Sequence, residues 1–146
     1  METGPIPQSV TYAARLLYVA AAVFFIEVYF LGNTANMPLF DVLLLMVIPV
    51  AGMVYFIRLL TKGVFWVRSV FLAITIIHVF NLITGKLFVL NGTYLVAGLF
   101  ILLMQVAALR LLYKKESNAW YTAKLMDDNL KRLKKRGNLF GNNQTE

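Results

Sequence analysis

The sequence predicts an all-α protein, an integral membrane four-helix bundle with a basic amphipathic C-terminal helix. Three observations predict it. Hydrophobic residues make up 60% of the 146, against roughly 45–50% in an ordinary soluble domain. They are gathered in four blocks, each near the roughly 20 residues that a helix needs to cross about 30 Å of hydrocarbon. The basic residues, which set the net charge of +7, cluster beside alternate ends of those blocks and after the last one.

The order of elements follows from breakers and caps. Residues 1–11, with Gly4, Pro5 and Pro7, read as a short cytoplasmic leader. Helix one is predicted over 12–31, with Gly32-Asn33 as its stop. That block is longer than a signal-peptide core and no small-x-small site follows it, so it reads as a retained helix. Helix two is predicted over 37–60, with Asn36 as N-cap, Pro38 in the first turn and Asp41 near the positive end of the helix dipole. Pro49 removes a backbone hydrogen bond in mid-helix and predicts a kink. Helix three is predicted over 64–83, a short outer hairpin over 85–90, and helix four over 91–112.

Residues 113–136 read as a basic cytoplasmic helix. Ser117 or Asn118 is a candidate cap, and Ala119, Ala123, Met126, Leu130 and Leu133 form one stripe at helical spacing. Nothing interrupts residues 98–136, so one long helix leaving the membrane is the alternative. Residues 137–146 are polar and read as a disordered tail.

Orientation follows from the charges. Arg15, Arg58, Lys62, Arg68, Arg110, Lys114 and Lys115 fall on one side and only Lys86 on the other. The positive-inside rule then places both termini in the cytoplasm of a multi-pass inner (plasma) membrane protein, with Trp66 and Trp120 at the inner interface.

The composition also excludes chemistry. With no cysteine, a thiol nucleophile, a zinc-thiolate site and a disulfide framework are ruled out. With one histidine, His78, a bis-histidine haem would need a second chain. No metal site, cofactor or catalytic constellation is predicted.

What remains is a candidate intramembrane polar cluster. Glu27 is an ionisable group in hydrocarbon, which costs roughly 2.5–3.5 kcal/mol on insertion scales and calls for a compensating role. Counting along the helices puts His78 at a similar depth, with Asn81 one turn beyond it and Asp41 near the same boundary. The cluster reads either as a proton- or cation-binding pocket or as a hydrogen bond tying helix one to helix three. Gln105 is placed in the other half of the bundle, away from it. Asn91-Gly92-Thr93 matches a glycosylation pattern and is taken as chance. The basic cluster Lys124, Lys131, Arg132, Lys134, Lys135 and Arg136 is expected to face anionic lipid headgroups. Nucleic acid is not an expected partner, because no aromatic residues interleave with the charges.

Two resemblances add to this reading. The segment Lys62-Gly63-Val64-Phe65-Trp66-Val67-Arg68 resembles the second connection of small bacterial four-helix (tetraspan) inner-membrane proteins of unknown function. Ser117-Asn118-Ala119-Trp120-Tyr121 resembles the aromatic element that closes such chains. This resemblance implies the fold and a bacterial inner membrane, and no activity. Ile26-Glu27-Val28 is similar to the setting of the helix-one carboxylate in small multidrug resistance transporters, and implies that Glu27 binds a proton or cation. The basic tail and the strong charge bias depart from that family.

The expected function is that of a non-enzymatic inner-membrane accessory, assembly or immunity-type protein. It would act through helix packing with a membrane-protein partner or a second copy of itself. The alternative is a small proton- or cation-coupled transporter or channel using Glu27 and His78.

Overall fold

The computed structural model describes residues 4–34, 36–84 and 92–141, with the backbone alone described at 31, 33, 34, 92–94 and 135–141. Among the described residues there are five helices and no strand: α1 (Gln8–Thr34), α2 (Leu39–Thr61), α3 (Val67–Thr84), α4 (Gly92–Leu112) and α5 (Lys115–Gly141). The first four are each long and apolar enough to cross a membrane. They pack as a bundle in which α1 lies against both α2 and α4, α3 lies against α4, and α2 and α3 touch only sparingly. Large apolar side chains cover the outside of the four helices, among them Phe40, Phe80, Ile83 and Leu103, each more than 60% exposed. In water that surface would be costly. Against lipid tails it is the expected outer face of a multi-pass bundle.

The helix ends differ from those expected, for local reasons. The first helix begins at Gln8 because the Pro7 carbonyl already accepts from the Val10 and Thr11 amides. It runs on through Gly32, where an added Cβ would lie 2.5 Å from the Val42 side chain. Gly32 thus works as the contact point between α1 and α2 rather than as a stop. Asn36 is no N-cap. It takes a left-handed φ of 51° in the turn, a conformation asparagine tolerates. Pro38 precedes α2 without any side-chain cap. Gly63, at φ 85°, makes the turn into α3, which starts at Val67.

A break at Tyr113 and Lys114 separates α4 from α5. Ser117 and Asn118 do not cap α5; they lie inside its first turns. The helix does not stop at 136 either, since α5 runs to Gly141. The expected hairpin over 85–90, Lys86, Asn91 and residues 142–146 lie outside the described residues.

The tightest packing is at the basic end of the bundle. Val10, Ala13, Ala14 and Leu17 of α1 meet Ile57 and Leu60 of α2, Val67 and Phe71 of α3, Ala108 and Leu112 of α4, and Tyr121 of α5 in one buried cluster. Alanines on α1 and α4 let the backbones approach, as small residues do wherever membrane helices pack closely. The start of α5 closes this end. Ser117 Oγ donates to the Leu111 carbonyl at 2.8 Å and lies 2.8 Å from Ser9 Oγ. The Tyr121 hydroxyl donates to the Leu60 carbonyl at 2.8 Å, and Trp120 Nε1 donates to the Gly4 carbonyl at 3.3 Å.

Burial holds the Tyr121 phenol pKa above its usual value, with the neighbouring Arg68 charge acting in the opposite, weaker direction. A group whose pKa is raised on folding contributes stability that is present below its unfolded pKa, roughly 10 for tyrosine. That contribution is lost as pH rises through the higher folded value. Tyr121→Phe is therefore expected to cost about 1 kcal/mol at neutral pH through its lost hydrogen bond. It should also flatten the alkaline fall in melting temperature. Melting curves in detergent from pH ~8 to ~11 check this, and parallel curves for the two proteins would contradict it.

Candidate functional site

Next to the packed cluster, residues from all four spanning helices line a cavity of about 440 Å³. Its walls are Phe24 of α1, Met53 and Phe56 of α2, Ile74 and Ile77 of α3 and Ile101 of α4, with Pro49 and Gly52 exposing the α2 backbone side. The cavity occupies the region where α2 and α3 fail to close on each other. Gly52 has no heavy atom within 4 Å of an ideal Cβ, so its missing side chain leaves open space.

Four polar side chains line this apolar chamber: Glu27, His78, Asn81 and Gln105. Glu27 is 6% exposed, and its Oε1 is buried with no hydrogen-bond partner among the described residues. Buried polar groups are nearly always satisfied, so an orphaned oxygen on a carboxylate side chain that lines a cavity requires an explanation. His78 Nδ1 lies 3.0 Å from Gln105 Oε1. An amide oxygen only accepts, so the bond runs from the Nδ1–H of His78 to Gln105 Oε1.

The structure therefore rearranges the sequence cluster. It brings Glu27, His78 and Asn81 to one cavity. It does not bring Asp41, which sits exposed in the first turn of α2. Gln105, expected away from the cluster, is in it. Counted from the basic end, Gln105 lies about one turn, or roughly 6 Å, below His78, and two long side chains bridge that offset. The interhelical bond joins α3 to α4, through His78 and Gln105. It does not join α1 to α3 through Glu27.

A second polar site was hidden in the topology signal. Arg68, read from sequence as an inner-loop charge, is 4% exposed. Its Nη1 donates to the Leu112 carbonyl at 3.3 Å and to Asn118 Oδ1. The guanidinium carbon lies 4.5 Å from the Phe65 ring centroid, 5.3 Å from Tyr113 and 4.3 Å from Tyr121. Asn118 Nδ2 in turn donates to the Tyr113 carbonyl at 3.0 Å. Arg68 thus ties the start of α3 to the break between α4 and α5, inside an aromatic box.

Of the basic C-terminal cluster, Lys124 is half-buried against Gly63. Lys131 forms an i,i+4 ion pair with Asp127 at 2.7 Å, and Arg132 and Lys134 are exposed. The Lys135 and Arg136 side chains lie outside the described residues. No group of three or more His, Cys, Asp or Glu side chains among the described residues is placed to hold a metal ion. Compared with known proteins, the chain matches no family model, no curated protein and no solved structure.

Proposed function

We propose that this protein is a small proton- or cation-coupled transporter or channel of the inner membrane, non-enzymatic, with both termini cytoplasmic. One observation supports this above the others: the buried Glu27 side chain lines an apolar cavity and has an oxygen without a partner among the described residues. A cavity of about 440 Å³ falls within the usual range for small-ligand sites, which are mostly apolar with a few placed polar groups. An ionisable group in hydrocarbon costs free energy unless something pairs with it. A cationic or protonated guest supplies that pairing, and its departure leaves a carboxylate that takes up a proton. His78, held by Gln105, adds a second polar side chain to the lining of the same cavity.

The accessory reading ranks second. It rests on a compact helical bundle with a basic cytoplasmic extension suited to docking on a partner. The feature that still favours it is the exposed apolar and basic surface of α5. The test is a cation- and drug-tolerance assay in cells, beside proton release on cation addition to the purified protein, each comparing wild type with Glu27→Gln.

The topology is tested separately. Single cysteines at Arg15, Lys62 and Lys124 are expected to react with a membrane-impermeant thiol reagent only from the cytoplasmic side, and one at Lys86 only from outside. Labelling of position 86 from the cytoplasm overturns the orientation.

A further inference from the structure

Four hydrogen bonds made by the first two turns of α5 reach one spanning helix each. Ser117 Oγ donates to the Leu111 carbonyl of α4 at 2.8 Å. Its single proton is then used, so at 2.8 Å it accepts from Ser9 Oγ of α1. The Tyr121 hydroxyl donates to the Leu60 carbonyl of α2 at 2.8 Å. Asn118 Oδ1 accepts from Arg68 Nη1 of α3. Ser117 and Tyr121 are fully buried, so these bonds lie within the end of the bundle. The start of α5 is thus a clasp across all four helix ends, reached from α4 through the break at Tyr113 and Lys114.

Along every spanning helix the buried cluster comes between this clasp and the chamber. On α1 the cluster residues Val10 to Leu17 precede Phe24 and Glu27. On α2 Ile57 and Leu60 follow Met53 and Phe56, and on α3 Val67 and Phe71 precede Ile74 and His78. On α4 Ala108 and Leu112 follow Ile101 and Gln105. None of these cluster residues is more than 5% exposed, so the layer is closed to water while the clasp holds. A carboxylate that exchanges cations across a membrane has to be reached from each side in turn. At the basic end that requires this layer to part.

The α2 helix is built to let it part. Pro49 removes a backbone hydrogen bond in mid-helix, and Gly52 has open space where a side chain would lie. Both stand on the chamber wall, and α2 touches α3 only sparingly. Beyond them Phe56 lines the chamber, packs against the buried cluster and stands edge-on to Trp66. A movement of the clasped end therefore reaches the chamber wall through Phe56. We propose that the start of α5 is the inner gate of the chamber, which opens toward Glu27 when Ser117, Asn118 and Tyr121 let go of the four helix ends. The proposal rests on the transport reading given above, and its test separates the two.

The chain has no cysteine, and the 2.8 Å between Ser9 Oγ and Ser117 Oγ puts cysteines at these positions within reach of a disulfide. Oxidation of Ser9→Cys combined with Ser117→Cys is expected to lock α5 to α1, and reduction to release it. Gly52→Cys reports access to the chamber. In membranes carrying the full-length protein, a membrane-impermeant thiol reagent applied at the basic face is expected to react at position 52. That reaction is expected to be lost when the oxidised lock is added. Tyr121→Phe, which removes one bond of the clasp, is expected to speed it. Reaction at position 52 that survives the lock overturns the proposal, and so does no reaction from that face in the unlocked protein. If the disulfide does not form, Tyr121→Phe decides, and an unchanged rate overturns the gate. Cation-coupled activity is expected to stop on oxidation of the lock and to return on reduction. Activity that persists in the locked protein but is lost in Glu27→Gln leaves the transport reading standing and removes the gate. A lock-sensitive reaction at position 52 without any transport that depends on Glu27 does the reverse.

Discussion

Glu27→Gln is expected to abolish cation-coupled activity while the protein expresses and melts as wild type does. The amide keeps the shape of the carboxyl and can donate and accept hydrogen bonds, but it neither exchanges a proton nor balances a positive charge. Proton release on cation addition should drop to background.

Glu27→Leu sharpens the test because geometry fixes its sign. A buried polar group without a partner carries a desolvation cost of about 1–3 kcal/mol, and Oε1 of Glu27 is such a group among the described residues. Leucine removes the cost and keeps most of the volume, so Glu27→Leu should raise the melting temperature of the protein while abolishing activity. Stability gained where function is lost is the mark of a site held in an unfavourable state for use. If Glu27→Leu instead lowers stability, the carboxylate has a structural partner and the transporter reading falls.

Gly52→Leu probes the cavity without touching the carboxylate. The open space at Gly52 accepts the new side chain, so folding should hold while binding is blocked. Retention of full activity in that variant would show that the chamber is not the binding site.

These expectations come from features that differ greatly in how far the sequence displays them. The four spanning helices are legible because the hydrocarbon core demands about 20 apolar residues in a row, a local property. Glu27 and His78 are legible as candidates for the same reason, since an ionisable or polar group stands out in such a run. Which of them meet is not legible. Contact depends on how helices are ordered around the bundle, and the α1 contacts with both α2 and α4 separate α2 from α3 in a way no periodicity reports. Backbone counting alone misplaces Gln105, because its side chain and that of His78 together bridge the one-turn offset.

Arg68 was missed for another reason. A basic residue near a helix end is usually a topology signal facing water, and nothing local marks one that turns inward. The one available hint was compositional. Phe65, Tyr113, Trp120 and Tyr121 crowd the same end, and the two segments singled out by resemblance, 62–68 and 117–121, are the two that meet around this guanidinium.

That convergence makes Arg68 the side chain whose loss should cost the most stability. Arg68→Ala removes two hydrogen bonds from a charged donor, about 1.5–3 kcal/mol each before the desolvation of the guanidinium is set against them. It also removes contact with three aromatic faces, about 2 kcal/mol when desolvated. A net loss of about 2–4 kcal/mol is expected. Arg68→Lys should do little better, because a lysine ammonium is a compact, strongly hydrated charge that does not stack between rings. Asn118→Ala should be costly in its own right, since it leaves the buried guanidinium with one acceptor fewer. The double variant should then cost less than the sum of the two single ones, by about 0.5–3 kcal/mol. The structural consequence is specific. With the tie between α3 and the α4–α5 break gone, α5 should detach and become cleavable by protease near Lys114 and Lys115, while α1 to α4 stay protected by the membrane. Melting temperature in detergent and limited proteolysis in membranes read the two effects independently. A change under ~0.5 kcal/mol together with unchanged protection of α5 would mean that the aromatic box and the buried Tyr121 hold the helix without the arginine.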